Sequence, residues 1–214
     1  IYSSASLGKA ALKQLGIVSP LPPTNSESCA TLGHIMSAYY GGRTECRIRK
    51  EPTLVTVLDF TSMYPTITML MNLWSFIIAD SVDAEVVTDD IRKLLPQLNL
   101  AYLQDPNNWA GFAVMVKIKP DDDILPVRMD YKGNGESFNV GINHLTSDTP
   151  LWYALSDVIA SCILTGRTPE VIEAVRFVPK GMQPELTNSE ILGIPVDPKK
   201  DNLIQLLVEE RQKI

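Results

Sequence analysis

The pattern of apolar and polar positions along the chain predicts alternating helices and strands, the order of an α+β protein. Residues 6–15, closed by Gly16, read as a short helix with a glycine stop. The proline-rich run 17–23 (IVSPLPP) is a connector that marks a boundary. Thr24 with Glu27 forms a capping box for a helix running towards Ala38, and Gly41-Gly42 breaks it. Residues 53–59 (TLVTVLD) are β-branched or apolar at nearly every position, as in a strand covered on both faces. A helix follows from Pro65, because proline suits a first helical turn. Strand-like runs cover 111–118, 124–131 and 136–140, with a hairpin between the first two. Residues 151–165 read as a helix stopped by Gly166, and 171–178 as a strand. Asp201 caps a final helix whose Leu203, Ile204, Leu206, Leu207 and Val208 form one face. Residues 80–110 show no period that places them.

Composition narrows this picture. With 214 residues, 45% of them hydrophobic, the chain can bury a real core in one main domain. It opens on Ile1 and closes on Ile214 within the last helical pattern, and so reads as a piece of a longer protein. Cys29, Cys46 and Cys162 have no metal-binding spacing, which suits a reducing, cytoplasmic setting. The greasiest stretch, 63–79, is broken by Pro65, Asn72, Ser75 and three threonines. It is too short for the roughly 20 apolar residues of a membrane span and reads as a buried helix. A net charge of −6 argues against a free-standing nucleic-acid binder, unless basic elements lie elsewhere in a parent protein.

The chemistry concentrates where residues 53–59 give way to the helix at Pro65. An apolar strand ending in Asp59 would hold a carboxylate at the edge of a sheet, and burying that charge requires a cation or a donor. The following turn exposes backbone N–H groups at a helix N-terminus, an anion site. A carboxylate for metal beside amides for phosphate suits a metal–triphosphate complex. An aspartate capping an ordinary helix is the plain alternative.

The run Asp59-Phe60-Thr61-Ser62-Met63-Tyr64-Pro65-Thr66 resembles motif A of family B DNA polymerases, DxxSLYPS, with Met63 for leucine and Thr66 for serine. Tyr39-Tyr40-Gly41-Gly42 is similar to the YxGG element that precedes motif A in that family. Residues 207–214 (LVEERQKI) are similar to the start of its fingers helix. The three elements occur in the family's order across residues 39–214. The resemblance implies a polymerase palm with a mainly antiparallel sheet packed against helices. Residues 1–23 would connect from an upstream exonuclease side, 24–200 form the first part of the palm, and 201–214 begin the fingers.

The resemblance also implies roles. Asp59, with the Phe60 backbone carbonyl, would hold part of a two-metal site, usually Mg²⁺ ions about 3.5–4 Å apart, for transfer of a dNTP to a primer 3′-hydroxyl. Thr61, Ser62 and Met63 would offer backbone amides to the incoming phosphates, and Ser62 its hydroxyl as well. Tyr64 would lie under the sugar and exclude a 2′-hydroxyl; a core aromatic is its plain alternative. Tyr39, Gly41, Gly42, Arg43, Arg47 and Arg49 would touch primer-template DNA, where phosphate contacts position without reading sequence. The three arginines share strand parity, although a solvated charged strand reads equally well. Arg211 falls on the apolar stripe of the last helix, four residues after Leu207 and seven after Ile204. An arginine facing the body needs an anion, a triphosphate in the family or else a carboxylate such as Glu210.

Other features carry less. Asp83-Ala84-Glu85 fits a proofreading DxE pattern but stands after motif A, and reads as a loop. Asp121-Asp122-Asp123 reads as a hairpin turn. His34 and His144 lack metal-ligand partners at helical or turn spacing. The family's lysine-bearing motif B and its DTD-like motif C are absent from these 214 residues. The second carboxylate, the thumb and most of the fingers would therefore come from the rest of the parent, and the two-metal site would be complete only there. The piece alone would not extend a primer. Two readings stand beside this one: a polymerase-like scaffold without activity, and a metal-dependent phosphohydrolase built around Asp59.

Overall fold

The computed structural model describes residues 4–19, 26–41, 48–130, 132–135 and 139–213. Its helices are α1 (Ser4–Gln14), α2 (Ser26–Ser37), α3 (Met63–Leu70), α4 (Trp74–Ile77), α5 (Thr88–Leu94), α6 (Leu100–Gln104), α7 (Leu155–Thr165) and α8 (Leu203–Gln212). Its strands are β1 (Ser81–Val86), β2 (Val114–Lys119), β3 (Asp123–Met129), β4 (Asn139–Leu145), β5 (Leu151–Ala154), β6 (Glu170–Lys180), β7 (Ser189–Ile191) and β8 (Ile194–Val196). Strands β1-β6-β2-β5 form one sheet, and β3-β4 and β7-β8 form two hairpins. Every ladder is antiparallel. The fold is α+β with a mainly antiparallel sheet packed against helices. Among the described residues no helix is long and apolar enough to cross a membrane.

Two cores hold it together. The larger lies against the four-stranded sheet: Val116, Ile118 and Ala174 from the sheet meet Ile91 of α5 and Leu155, Val158 and Ile159 of α7. The smaller gathers Leu15 from the end of α1, Trp74 and Ile78 around α4, Ile191 and Val196 of the β7–β8 hairpin, and Leu203 of α8. The two ends of the chain thus share a core, and the Trp74 indole N–H anchors it further by donating to the Pro198 carbonyl at 3.2 Å.

Glycine stops are where the sequence pattern places them. Gly16 has φ 74° and Gly166 φ 68°, ending α1 and α7 in the left-handed region. Strand β6 covers the expected 171–178 run. Other expectations change. Residues 52–60 form no strand and lie exposed throughout. Leu54 is 99% exposed, and Val57 and Leu58 each 88%. Apolar composition sets a demand for burial, but a strand also needs a ladder partner, and none pairs with this run among the described residues. The 63–79 stretch is not one buried helix. Asn72, at φ 50°, breaks it into α3 and α4, and α3 is only half-buried.

The expected β2–β3 hairpin is also absent. The 121–123 turn does connect these strands, but β2 pairs with β5 and β6 while β3 pairs with β4. The first residues of the 151–165 helix are instead strand β5. Asn202, not Asp201, caps α8, accepting from the Ile204 and Gln205 N–H groups; Asp201 accepts from the Asp197 N–H at 2.8 Å. The unplaced segment 80–110 holds β1, α5, α6 and two 3-10 turns. Asp83 and Glu85 lie on β1 rather than in a loop, both near Lys180 of β6, at 3.9 and 4.0 Å. Thr24 lies outside the described residues.

Asp157, in the first turn of α7, is half-buried, and burial pushes its carboxyl up to about 6. The helix N-terminus favours its charged form, but by less than burial opposes it. The folded state therefore holds the Asp157 proton more tightly than the unfolded chain, whose carboxyl titrates near 3.8. Its contribution favours folding below about pH 4 and is lost as pH rises through about 6. Asp157→Asn is expected to raise the urea midpoint at pH 8 and to leave it nearly unchanged at about pH 3, below both carboxyl values, measured by denaturation at both pH values.

Candidate functional site

The turn between the exposed run and α3 has a specific backbone. The Met63 N–H donates to the Phe60 carbonyl at 3.2 Å, and the Thr66 N–H to the Ser62 carbonyl at 2.9 Å. Ser62 stands at the N-cap of α3 with φ 55° and ψ 35°, a conformation uncommon outside glycine. Its hydroxyl does not cap the helix. It accepts instead from Arg211 Nη1 at 3.0 Å, a contact that spans 149 residues of sequence. The last helix, α8, packs against α3 and delivers this arginine to the turn.

This geometry sorts the sequence-predicted residues. Ser62 and Arg211 come together. Glu210, the alternative partner of Arg211, instead pairs with Lys213. The Met63 amide, expected to face phosphate, is engaged by the Phe60 carbonyl. The N–H groups without a protein partner among the described residues are those of Thr61, Ser62 and Tyr64. Phe60 is 80% exposed and Tyr64 74%, so Tyr64 is no core aromatic. Asp59 is exposed, not buried at a sheet edge, and caps no helix.

The second element, residues 39–41, is built by a residue that the sequence did not single out. Arg128 of β3 donates from Nη1 to the Ser37 carbonyl at 3.0 Å and from Nη2 to the Tyr39 carbonyl. Its guanidinium lies over the Tyr40 ring, 4.7 Å from the centroid. Tyr40 in turn stacks on Tyr153 at 5.7 Å and 8°. Tyr39 and Gly41 are exposed, with Gly41 at φ 76°. Arg49 is exposed; Gly42, Arg43 and Arg47 lie outside the described residues. No hydrogen bond or ring contact joins Tyr39 or Gly41 to residues 59–64.

Elsewhere, His144 Nδ1 lies 2.9 Å from the Asp122 carboxylate, and His34 stacks on Trp152. A cleft of about 370 Å³ lies between residues 119–123, 146–148 and 167–170 and shares no residue with the 59–64 turn. Among the described residues, no group of three or more His, Cys, Asp or Glu side chains is placed to hold a metal. The donors at the turn are the Asp59 carboxylate and the Phe60 carbonyl, which keeps a second lone pair after accepting from Met63. Hard oxygens of this kind suit Mg²⁺, which commonly takes one or two carboxylates and completes its shell with water and substrate phosphates. No protein-family model, curated protein or solved structure matches the chain.

Proposed function

We propose that the chain is the motif-A part of a family B DNA polymerase palm, contributing half of a site for template-directed transfer of a dNTP to a primer 3′-hydroxyl. The observation that supports this reading most is the Arg211–Ser62 hydrogen bond. It sets a guanidinium beside a turn whose Thr61, Ser62 and Tyr64 N–H groups have no protein partner among the described residues, just after the solvent-facing Asp59 carboxylate in the chain. A guanidinium and unbonded N–H groups at one turn suit a triphosphate. Asp59 and the Phe60 carbonyl would hold Mg²⁺, which when bound neutralises phosphate charge.

In this reading Arg211 exchanges a neutral hydroxyl for a phosphate oxygen, a stronger, charge-assisted partner. The Thr61, Ser62 and Tyr64 amides orient the phosphates, and the exposed Tyr64 ring carries the sugar. Primer-template DNA would run past residues 39–49. The phosphohydrolase alternative has no specific observation in its favour.

The gate is testable in the parent polymerase. Tyr64→Ala is expected to lower discrimination against ribonucleotides by about 10²-fold, the scale of one removed steric or apolar contact. The measurement is the ratio of incorporation efficiencies for dNTP and rNTP on one primed template. A variant that stays active with unchanged discrimination would count against a sugar-facing Tyr64.

A further inference from the structure

The packing around residues 37–41 carries an inference that rests on the nucleic-acid reading of this segment and goes beyond it. Helix α2 ends at Ser37; the Ala38 and Tyr39 N–H groups bond back to the His34 and Met36 carbonyls, and the Ser37 carbonyl has no backbone donor among the described residues. Arg128 supplies two N–H groups there, one to the Ser37 carbonyl and one to the Tyr39 carbonyl, while its guanidinium carbon lies over the Tyr40 ring. Tyr40 also stacks on the buried Tyr153 ring, whose hydroxyl donates to the Pro126 carbonyl at 3.2 Å. Pro126 and Arg128 belong to the same strand, β3. The three stacked groups therefore close a loop of contacts: strand, guanidinium, Tyr40, Tyr153 and back to the strand.

We propose that Arg128 is a positioning residue for the nucleic-acid face. It fixes the direction in which the chain leaves α2, and so presents Tyr39 and Gly41 to the DNA backbone. Two features call for arginine here. A planar fork can reach two carbonyls at once, and a planar cation can stack on a ring while doing so. A lysine ammonium supplies the charge but not that combination.

The test uses the parent polymerase of the proposed function, carrying Arg128→Lys or Arg128→Gln. Three quantities are read: affinity for a short primed DNA duplex by fluorescence anisotropy, amide exchange of residues 39–41, and the thermal midpoint. The wild type is expected to bind, and both variants to bind about tenfold more weakly, with exchange at 39–41 about tenfold faster and the midpoint held. Wild-type affinity in Arg128→Lys would mean that charge alone suffices, which overturns the positioning role. Unchanged exchange at 39–41 in both variants overturns it too. A fall in the midpoint with faster exchange throughout assigns Arg128 to the scaffold and likewise overturns the proposal. Absence of DNA binding by the wild type has a different meaning: it removes the nucleic-acid reading itself, and the role of Arg128 with it.

Discussion

If the chain is part of a polymerase as proposed, asparagine in place of Asp59 in that parent protein is expected to slow primer extension by about 10³-fold or more while leaving stability within roughly 0.5 kcal/mol of wild type. The two halves of that statement have separate grounds. Asp59 makes no hydrogen bond or ion pair among the described residues, caps no helix and lies exposed. A solvated side chain of that kind contributes little to folding. Its effect on rate comes from the charge it would give a metal–phosphate complex. Metal-ion stabilisation of phosphoryl transfer amounts to several kcal/mol, and about 4 kcal/mol is a thousandfold. Asparagine keeps the shape and one oxygen but loses the charge. The measurement pairs single-turnover extension at saturating Mg²⁺ with thermal unfolding of the same preparation. Normal extension by Asp59→Asn would remove Asp59 from the chemistry. Lost extension accompanied by lost stability would make its role structural.

The contrast between these halves reflects what could be read from the sequence. Local signals were legible. Gly16 and Gly166 stop their helices because the left-handed conformation is a property of one residue. Residues 170–180 form a strand, as their β-branched composition implies. Partnership was not legible. Residues 53–59 have the composition of a covered strand, yet composition cannot name a ladder partner, and the run lies exposed. The 111–118 and 124–131 runs have turn residues between them, yet they join different sheets, because β2 is already flanked by β5 and β6. Residues 80–110 break into short elements of three to seven residues, below the length at which periodicity shows.

The site divides in the same way. The 59–66 motif is contiguous, so its members were visible together; the apolar stripe of α8 points Arg211 inward, whereas the residue lies exposed near the end of the helix, where the stripe has no core to face. Its actual partner, the Ser62 hydroxyl, follows from the packing of α8 on α3, which no local pattern encodes. Arg128 gave no signal at all. It is one arginine on a short strand, and its partners Ser37, Tyr39 and Tyr40 lie about ninety residues earlier.

That packing rests in turn on a glycine far from the motif, and Gly16→Ala is expected to cost on the order of 3–5 kcal/mol. Gly16 closes α1 with a double-bonded stop: its N–H donates to the Lys13 carbonyl at 3.1 Å, and the Ile17 N–H to Leu12 at 3.0 Å. At φ 74° an added Cβ is strained by itself, and it would lie 1.9 Å from the Glu185 carbonyl oxygen. The obstacle is backbone, so no rotamer change relieves it. The 183–190 segment is tied to the same place by the Thr187 N–H to Leu15 carbonyl bond at 3.1 Å and by Gln14 Nε2 to Ser189 at 2.7 Å. Alanine must therefore separate α1 from that segment and open the smaller core of Leu15, Trp74, Ile191, Val196 and Leu203. The larger core behind the four-stranded sheet shares no buried residue with it. Amide exchange should consequently rise in α1, α4, β7, β8 and α8 while β2 and β6 keep their protection. Because Leu203 seats α8, the Arg211–Ser62 contact should loosen with it, although neither residue is within the altered turn. Uniform loss of protection across both cores would show instead that the two halves fold as one cooperative unit.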